Sequence, residues 1–204
     1  DKVRSLATAY NAHGYTIDVE KVITPPVPAT IEEALAEGLM LHEAIKLKYP
    51  TPTIKTSGFH IDPETWNMMI RNILKGKNVL LLGGTGTGKT ELVGIIAETM
   101  KRAMYTIDMG TIQDAQSAMI GVHRLNSDGK SMFDYAPFTE YIQQPQAIIL
   151  LDEINRGGTS SQNILFPCLD RRRYLPVDIS DSGSVRKIPV SPETVFIATA
   201  NVGN

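Results

Sequence analysis

The sequence predicts an α/β fold built on a parallel sheet. From Asn78 onward, short apolar runs alternate with segments of helical period, the pattern of strands joined by crossover helices that cover both sheet faces. A glycine-rich stretch, Gly83–Thr90, falls between one such run and a long helical segment. A second buried run, Ala147–Leu151, leads directly into Asp152 and Glu153.

Ahead of this core, Lys2–His13 reads as a short polar helix and Thr24-Pro25-Pro26-Val27-Pro28 as a spacer. Proline fixes φ, lacks a donor and pushes the preceding residue out of the helical region. Thr30 and Glu33 have capping-box spacing, and Ile31, Leu35, Leu41, Ala44, Ile45 and Leu47 carry a helix to about Lys48. Pro50 and Pro52 end it. Asp62-Pro63 is a cap followed by proline at the first helical position. Trp66, Met69, Ile70, Ile73 and Leu74 then recur at helical spacing until Gly76, a stripe that reads as core packing.

Within the core the expected strands are Asn78–Leu82, Tyr105–Asp108, Ala147–Leu151 and Val195–Ala200, with helices over Glu91–Met104, Thr111–Ile120 and Ser160–Arg171. Two insertions read as hairpins. Gly121–Leu125 and Lys130–Tyr135 flank Asn126-Ser127-Asp128-Gly129, while Tyr174–Ile179 and Val185–Val190 flank Asp181-Ser182-Gly183-Ser184.

Composition bounds the function. Of 204 residues, 42% are hydrophobic and 21% charged, enough apolar chain for a real core and too little charge bias for wholesale disorder. The longest clean apolar runs, Val79–Leu82 and Ala147–Leu151, fall far short of a bilayer span. A single cysteine, Cys168, cannot form an internal disulfide; it fits a reducing, cytoplasmic compartment and reads as a small core residue. His13, His42, His60 and His123 show no ligand spacing. A net charge of −2 argues against coating nucleic acid, though a local basic groove stays open. Asp1 is no initiator methionine, no signal-peptide pattern is present, and Asn204 follows directly on Val195–Ala200, so the natural protein is expected to be longer.

Gly83-Gly84-Thr85-Gly86-Thr87-Gly88-Lys89-Thr90 matches G-x-x-x-x-G-K-[ST] without departure. Consecutive backbone N–H groups wrap a polyphosphate, and glycine supplies the dihedrals and close approach this needs. The helix start adds free donors and a favourable dipole. The expected phosphate contacts run from Gly84, Thr85, Gly86, Thr87 and Gly88 through Lys89, Thr90 and Glu91. Lys89 reaches the β- and γ-phosphates, and the Thr90 hydroxyl ligates Mg²⁺.

Strand ends of a parallel sheet open into the ligand crevice, so Asp152 and Glu153 are expected beside this loop. Alone, an acidic pair after a strand reads as a helix cap. Beside a complete phosphate loop, Asp152 reads as the Mg²⁺ residue and Glu153 as the group that orients and deprotonates an attacking water.

Asp152-Glu153 continues as Ile154-Asn155-Arg156, followed by Gln162-Asn163-Ile164-Leu165 and Asp170-Arg171-Arg172-Arg173. This region resembles the DEINR…QNALL…ER stretch of AAA+ ATPases of the MoxR, dynein-related and cobaltochelatase-small-subunit group. The resemblance covers roughly Ile61 to Asn204, with residues 1–60 as an N-terminal extension. It implies a P-loop NTPase large subdomain, with Asn201 at the sensor position that helps place water with Glu153. The two hairpins match the group's insertions in place, Met119-Ile120-Gly121 opening the first. Ala136-Pro137-Phe138 stands where Gly-Pro-Leu is common.

The resemblance further implies ATP bound between neighbours in a ring, usually a hexamer, with an arginine finger, fifth strand, second sensor and helical lid downstream of Asn201. Arg171, Arg172 and Arg173 read as surface charge after a helix, and Arg156 as an interface candidate. The leading expectation is a cytoplasmic Mg²⁺-dependent ATPase that remodels a protein client or a von Willebrand A-type partner. The alternatives are the ATPase subunit of a cobalt or magnesium chelatase, a McrB-like DNA-directed GTPase motor, and a nucleotide-gated scaffold with little hydrolysis.

Overall fold

A computed structural model describes residues 30–36, 40–125, 127–178 and 185–201. The expected helix at Lys2–His13 and the proline spacer lie outside the described residues. The chain divides into two compact units, Asp1–Pro50 and Thr51–Asn204.

In the first unit, Thr30 and Glu33 form the capping box reciprocally: Thr30 N–H donates to Glu33 Oε2 and Glu33 N–H to Thr30 Oγ1, both at 3.1 Å. The single helix expected to Lys48 is instead two, α1 (Ile31–Ala36) and α2 (Leu41–Lys48). The second has its own start, because Glu43 Oε2 accepts the Met40 N–H at 2.9 Å. In sequence Gly38 lies between them, and glycine costs a helix interior about 1 kcal/mol against alanine.

The second unit opens with a single turn, α3 (Ile54–Ser57), and then α4 (Pro63–Leu74). Asp62 caps α4 as expected, its Oδ2 accepting the Thr65 N–H at 2.9 Å. Trp66, Met69, Ile70 and Ile73 are all buried, so the stripe is core. The sheet contains β1 (Val79–Gly83), β2 (Met104–Asp108), β5 (Ile148–Asp152) and β8 (Val195–Asn201), all parallel in the order β1-β8-β5-β2. Between them run α5 (Lys89–Met100), α6 (Ala115–Met119), α7 (Pro137–Tyr141) and α8 (Thr159–Leu169). The hairpins are β3 (Gly121–Leu125) with β4 (Ser131–Tyr135), and β6 (Tyr174–Asp178) with β7 (Val185–Pro189).

Side chains alternate across a strand, so the central strands β5 and β8 are apolar on both faces. Ile149, Leu151, Phe196 and Ala198 join Met119, Phe138, Leu165, Cys168, Leu175 and Val177 in one core cluster. Ile148, Leu150, Val195 and Ile197 are buried on the opposite face. This alternation places Asp152, Thr199 and Asn201 on that second face, continuing the rows of Leu150 and Ile197. The outer strand β1 leaves Leu80 and Leu82 exposed.

Three helices are shorter than the sequence predicts. The helix expected to Met104 ends at Met100, because Lys101 turns left-handed at φ 54° and Arg102 N–H closes on Ala97 O at 2.9 Å. The helix expected from Thr111 begins only at Ala115. Asp108 holds the intervening turn, accepting the Gly110 N–H on Oδ1 and the Thr111 hydroxyl on its carbonyl, and Asp114 then caps through Gln116 and Ser117 N–H. The helix expected to Arg171 ends at Leu169 with Asp170 as its cap.

Arg173 also departs from expectation. Arg171 and Arg172 are exposed, but Arg173 is half-buried and donates through Nη2 to Ser191 O at 2.7 Å and Thr194 O at 2.6 Å. Desolvation holds its guanidinium below the usual arginine range. It ties the turn before β6 to the entry of β8. Gly121, which opens the first hairpin, has φ 143°, and a Cβ there would lie 2.1 Å from Asp134 O. Only glycine fits.

Candidate functional site

The strand–loop–helix unit positions the loop. β1 delivers the chain at Gly83, and α5 begins at Lys89 with Gly88 at its N-cap in the left-handed region, φ 77°. Thr87 Oγ1 donates back to Gly84 O at 2.9 Å, closing the loop on itself. The N–H groups of the first helical turn have no acceptor within the helix, so this end is electropositive.

Thr85, Gly86, Thr87, Gly88, Lys89, Thr90 and Glu91 line one cleft of about 390 Å³ together with Asp152, Glu153, Thr199 and Asn201. Gly84 contributes its carbonyl just below. The residues expected to contact phosphate, the cation and the attacking water are thus in or against one cleft. Thr199 is the addition: a threonine inside an apolar strand reads from sequence as β-branched filler.

Lys89 Nζ is held by three acceptors, Gly83 O at 3.2 Å, Gly84 O at 2.8 Å and Asn201 Oδ1 at 2.8 Å. Asn201 turns its other end to the acid, Nδ2 donating to Glu153 Oε1 at 2.8 Å. One amide therefore links the ammonium to the carboxylate with each end facing the charge it favours. The other carboxylate oxygen, Glu153 Oε2, meets Arg156 Nη1 at 2.7 Å.

Asp152 faces the helix start. Its two oxygens lie 3.1 Å and 3.0 Å from Thr90 Oγ1, and Thr199 Oγ1 also donates to Oδ1. A hydroxyl and a carboxylate side by side are hard oxygen donors suited to Mg²⁺, which takes one or two protein ligands and completes its shell with phosphate oxygens and water. Among the described residues, no group of three or more His, Cys, Asp or Glu stands together as a metal site. Thr90 and Asp152 are the paired oxygen donors that this cleft offers to a divalent cation. No helix among the described residues is long and apolar enough to cross a membrane.

The surroundings match known proteins. Residues 78–204 match the AAA domain family, dynein-related subfamily. An uncharacterised protein of Staphylococcus saprophyticus is 34% identical over 131 residues, covering 62% of this chain and 48% of its own. Protein NorQ of Paracoccus denitrificans is 32% identical, with 61% of this chain and 44% of its own covered. Chaperone protein ClpB of Rhodopirellula baltica is 35% identical over 61% of this chain and 14% of its own. The chain thus spans about half the length of the first two relatives. A crystal structure from Cytophaga hutchinsonii, provisionally described as an ATPase, superimposes with a TM-score of 0.53 at 25% identity, covering 86% of this chain and 49% of that one. Parallel sheet, phosphate loop, acidic strand end and family match agree: the chain belongs to the dynein-related subfamily of the AAA domain family.

Proposed function

We propose that this chain carries the nucleotide-binding core of a Mg²⁺-dependent ATPase that works as a ring, usually a hexamer, and uses hydrolysis to remodel a protein partner. The observation that carries the reading is the Lys89–Asn201–Glu153 chain of hydrogen bonds, standing in one cleft with Thr90 and Asp152. It supports phosphoryl transfer to water, in which catalysis is positioning plus charge stabilisation.

ATP lays its phosphates along the backbone N–H groups of the loop. Lys89 exchanges a neutral carbonyl acceptor for a phosphate oxygen and stabilises charge on the β- and γ-phosphates. Thr90 and Asp152 would hold Mg²⁺, which would supply Lewis-acid neutralisation of the phosphate oxygens. A water aligned by Asn201 and Glu153 attacks the γ-phosphorus in line. Its proton passes to the Glu153 carboxylate as the bond to the β-phosphate oxygen breaks, giving ADP and phosphate.

The relative named chaperone protein ClpB supports a remodelling role, and the relationship to AAA+ proteins supports a ring in which a neighbour completes each site. The test uses the full-length protein and its Glu153→Gln variant with ATP and Mg²⁺, read by phosphate release, fluorescent-nucleotide binding and light scattering. Wild type should hydrolyse ATP, and the variant should keep nucleotide affinity, lose turnover at least about a hundredfold and hold a multi-subunit assembly. Undiminished turnover in the variant would reject Glu153 as the base. A monomer at every nucleotide concentration would reject the ring.

A further inference from the structure

Thr199 lies two residues before Asn201 on β8 and is 1% exposed. The parallel pairing of β5 and β8 runs to Leu151 opposite Ala198. One step beyond stand Asp152 and Thr199, on the face that carries the start of α5. The Thr199 hydroxyl has one proton, and that proton goes to Asp152 Oδ1. Its oxygen in turn accepts the Glu153 backbone N–H at 2.9 Å. Donor and acceptor are thereby assigned without ambiguity, since a backbone N–H can only donate.

Glu153 needs that second bond. Its backbone sits at φ 52°, ψ 48°, in the left-handed region. A residue with a Cβ holds such a conformation only when its surroundings over-determine it. The Glu153 N–H on Thr199 Oγ1 and the Glu153 carbonyl accepting Arg156 N–H at 2.8 Å fix it from both sides. This twist turns the Glu153 side chain toward Asn201 and away from the direction strand alternation would have given it.

We infer that Thr199 is a positioning residue for both acids: its hydroxyl fixes the Asp152 carboxylate beside Thr90 and locks the Glu153 backbone in the turn that aims its side chain at Asn201. The inference rests on the ATPase reading above and goes beyond it, because valine, nearly the same shape, would fill the strand equally well and do neither.

The test compares Thr199→Val, which removes the hydroxyl, with Thr199→Ser, which keeps it, in the full-length protein. Phosphate release and binding of a fluorescent ATP analogue are measured while Mg²⁺ is titrated. Thr199→Val should lower kcat at least fivefold and raise the Mg²⁺ midpoint for nucleotide binding at least threefold, with Thr199→Ser less than threefold from wild type in both. A valine variant with kcat and midpoint both less affected than that, or a serine variant as impaired as valine, overturns the inference. If the valine variant does not fold, as judged by circular dichroism, the serine variant decides alone: an effect under threefold sustains the hydroxyl role, and a larger one assigns Thr199 to packing. Lack of turnover in wild type would count against the ATPase reading instead, and the Mg²⁺ midpoint would still report on Thr199.

Discussion

Arg156 Nη1 stands 2.7 Å from Glu153 Oε2, three residues away in the chain, while Asn201 holds the other carboxylate oxygen. The acid expected to activate water is thus gripped at both oxygens, by an arginine whose stem packs at Gly110 and whose side chain is 61% exposed. An exposed ion pair adds little stability, but this one fixes where the Glu153 carboxylate points. Arg156→Gln should lower ATP turnover by about tenfold, the cost of a modest loss of alignment, with nucleotide affinity within twofold of wild type. Steady-state hydrolysis and fluorescent-nucleotide titration on the full-length protein give the two numbers. An equal loss of affinity would place Arg156 in binding instead.

Gly88 combines two demands. Its φ is 77°, and a Cβ on it would lie 2.4 Å from the Phe59 ring. The left-handed conformation alone costs a non-glycine residue about 1–2 kcal/mol, roughly tenfold in an equilibrium. Gly88→Ala should weaken ATP binding by more than about tenfold. Adding Phe59→Ala should recover only the steric share. Full recovery in the double variant would show that the backbone dihedral is not limiting. Calorimetric titration with nucleotide measures both.

The Asp62 cap carries a pH signature. The Thr65 backbone N–H is the leading cause that lowers its carboxyl below the ordinary value of 3.8. A depressed folded value means that the unfolded chain binds more protons, so the cap's stabilisation is present above the ordinary value and is lost as pH falls through the lowered one. Asp62→Ala should lower Tm at pH 7 by roughly 2–6 °C, and the gap to wild type should close as pH drops below 3.8. Asp114 follows the same direction, held chiefly by the Ser117 hydroxyl. Thermal melts across the acid range test both; a gap that does not vary with pH would remove the charge from the cap's role.

Cys168 offers a probe of core opening. It is fully buried, with Sγ 3.4 Å from Tyr174 O. Burial pushes its thiol up to about 12, and only a thiolate reacts readily. The folded protein at pH 8 should label with a disulfide reagent at the rate of local unfolding, far below the rate in denaturant. Labelling as fast as a free thiol would mean that α8 lifts readily from the sheet.

The elements that depend on neighbours in sequence were legible there. The phosphate loop is read from residue types within eight consecutive positions, because the wrapping of phosphate by N–H groups is local chemistry. Both hairpins are read from the turn-forming residues between their flanking segments, and the α4 stripe and the Asp62 cap from spacing. Helix ends were less legible. Lys101 leaves the helix with an unremarkable side chain, in a left-handed turn closed by the Arg102 N–H on Ala97 O. Arg173 looked like the two arginines before it. What sets it apart is the pair of carbonyls at Ser191 and Thr194, which come from a later segment.

For the site, the sequence by itself determined the chemical parts: a lysine and threonine after glycines, two acids after a strand, an asparagine at the end of another. Only the tertiary structure decided how they are joined. Lys89 and Asn201 lie 112 residues apart and meet because β8 pairs between β1 and β5. The same pairing sets Thr199 beside Asp152 and under the Glu153 N–H. Spacing along a chain fixes which side chains share a face, but hydrogen bonds act over about 3 Å. Which groups come within that reach is decided by strand order and register.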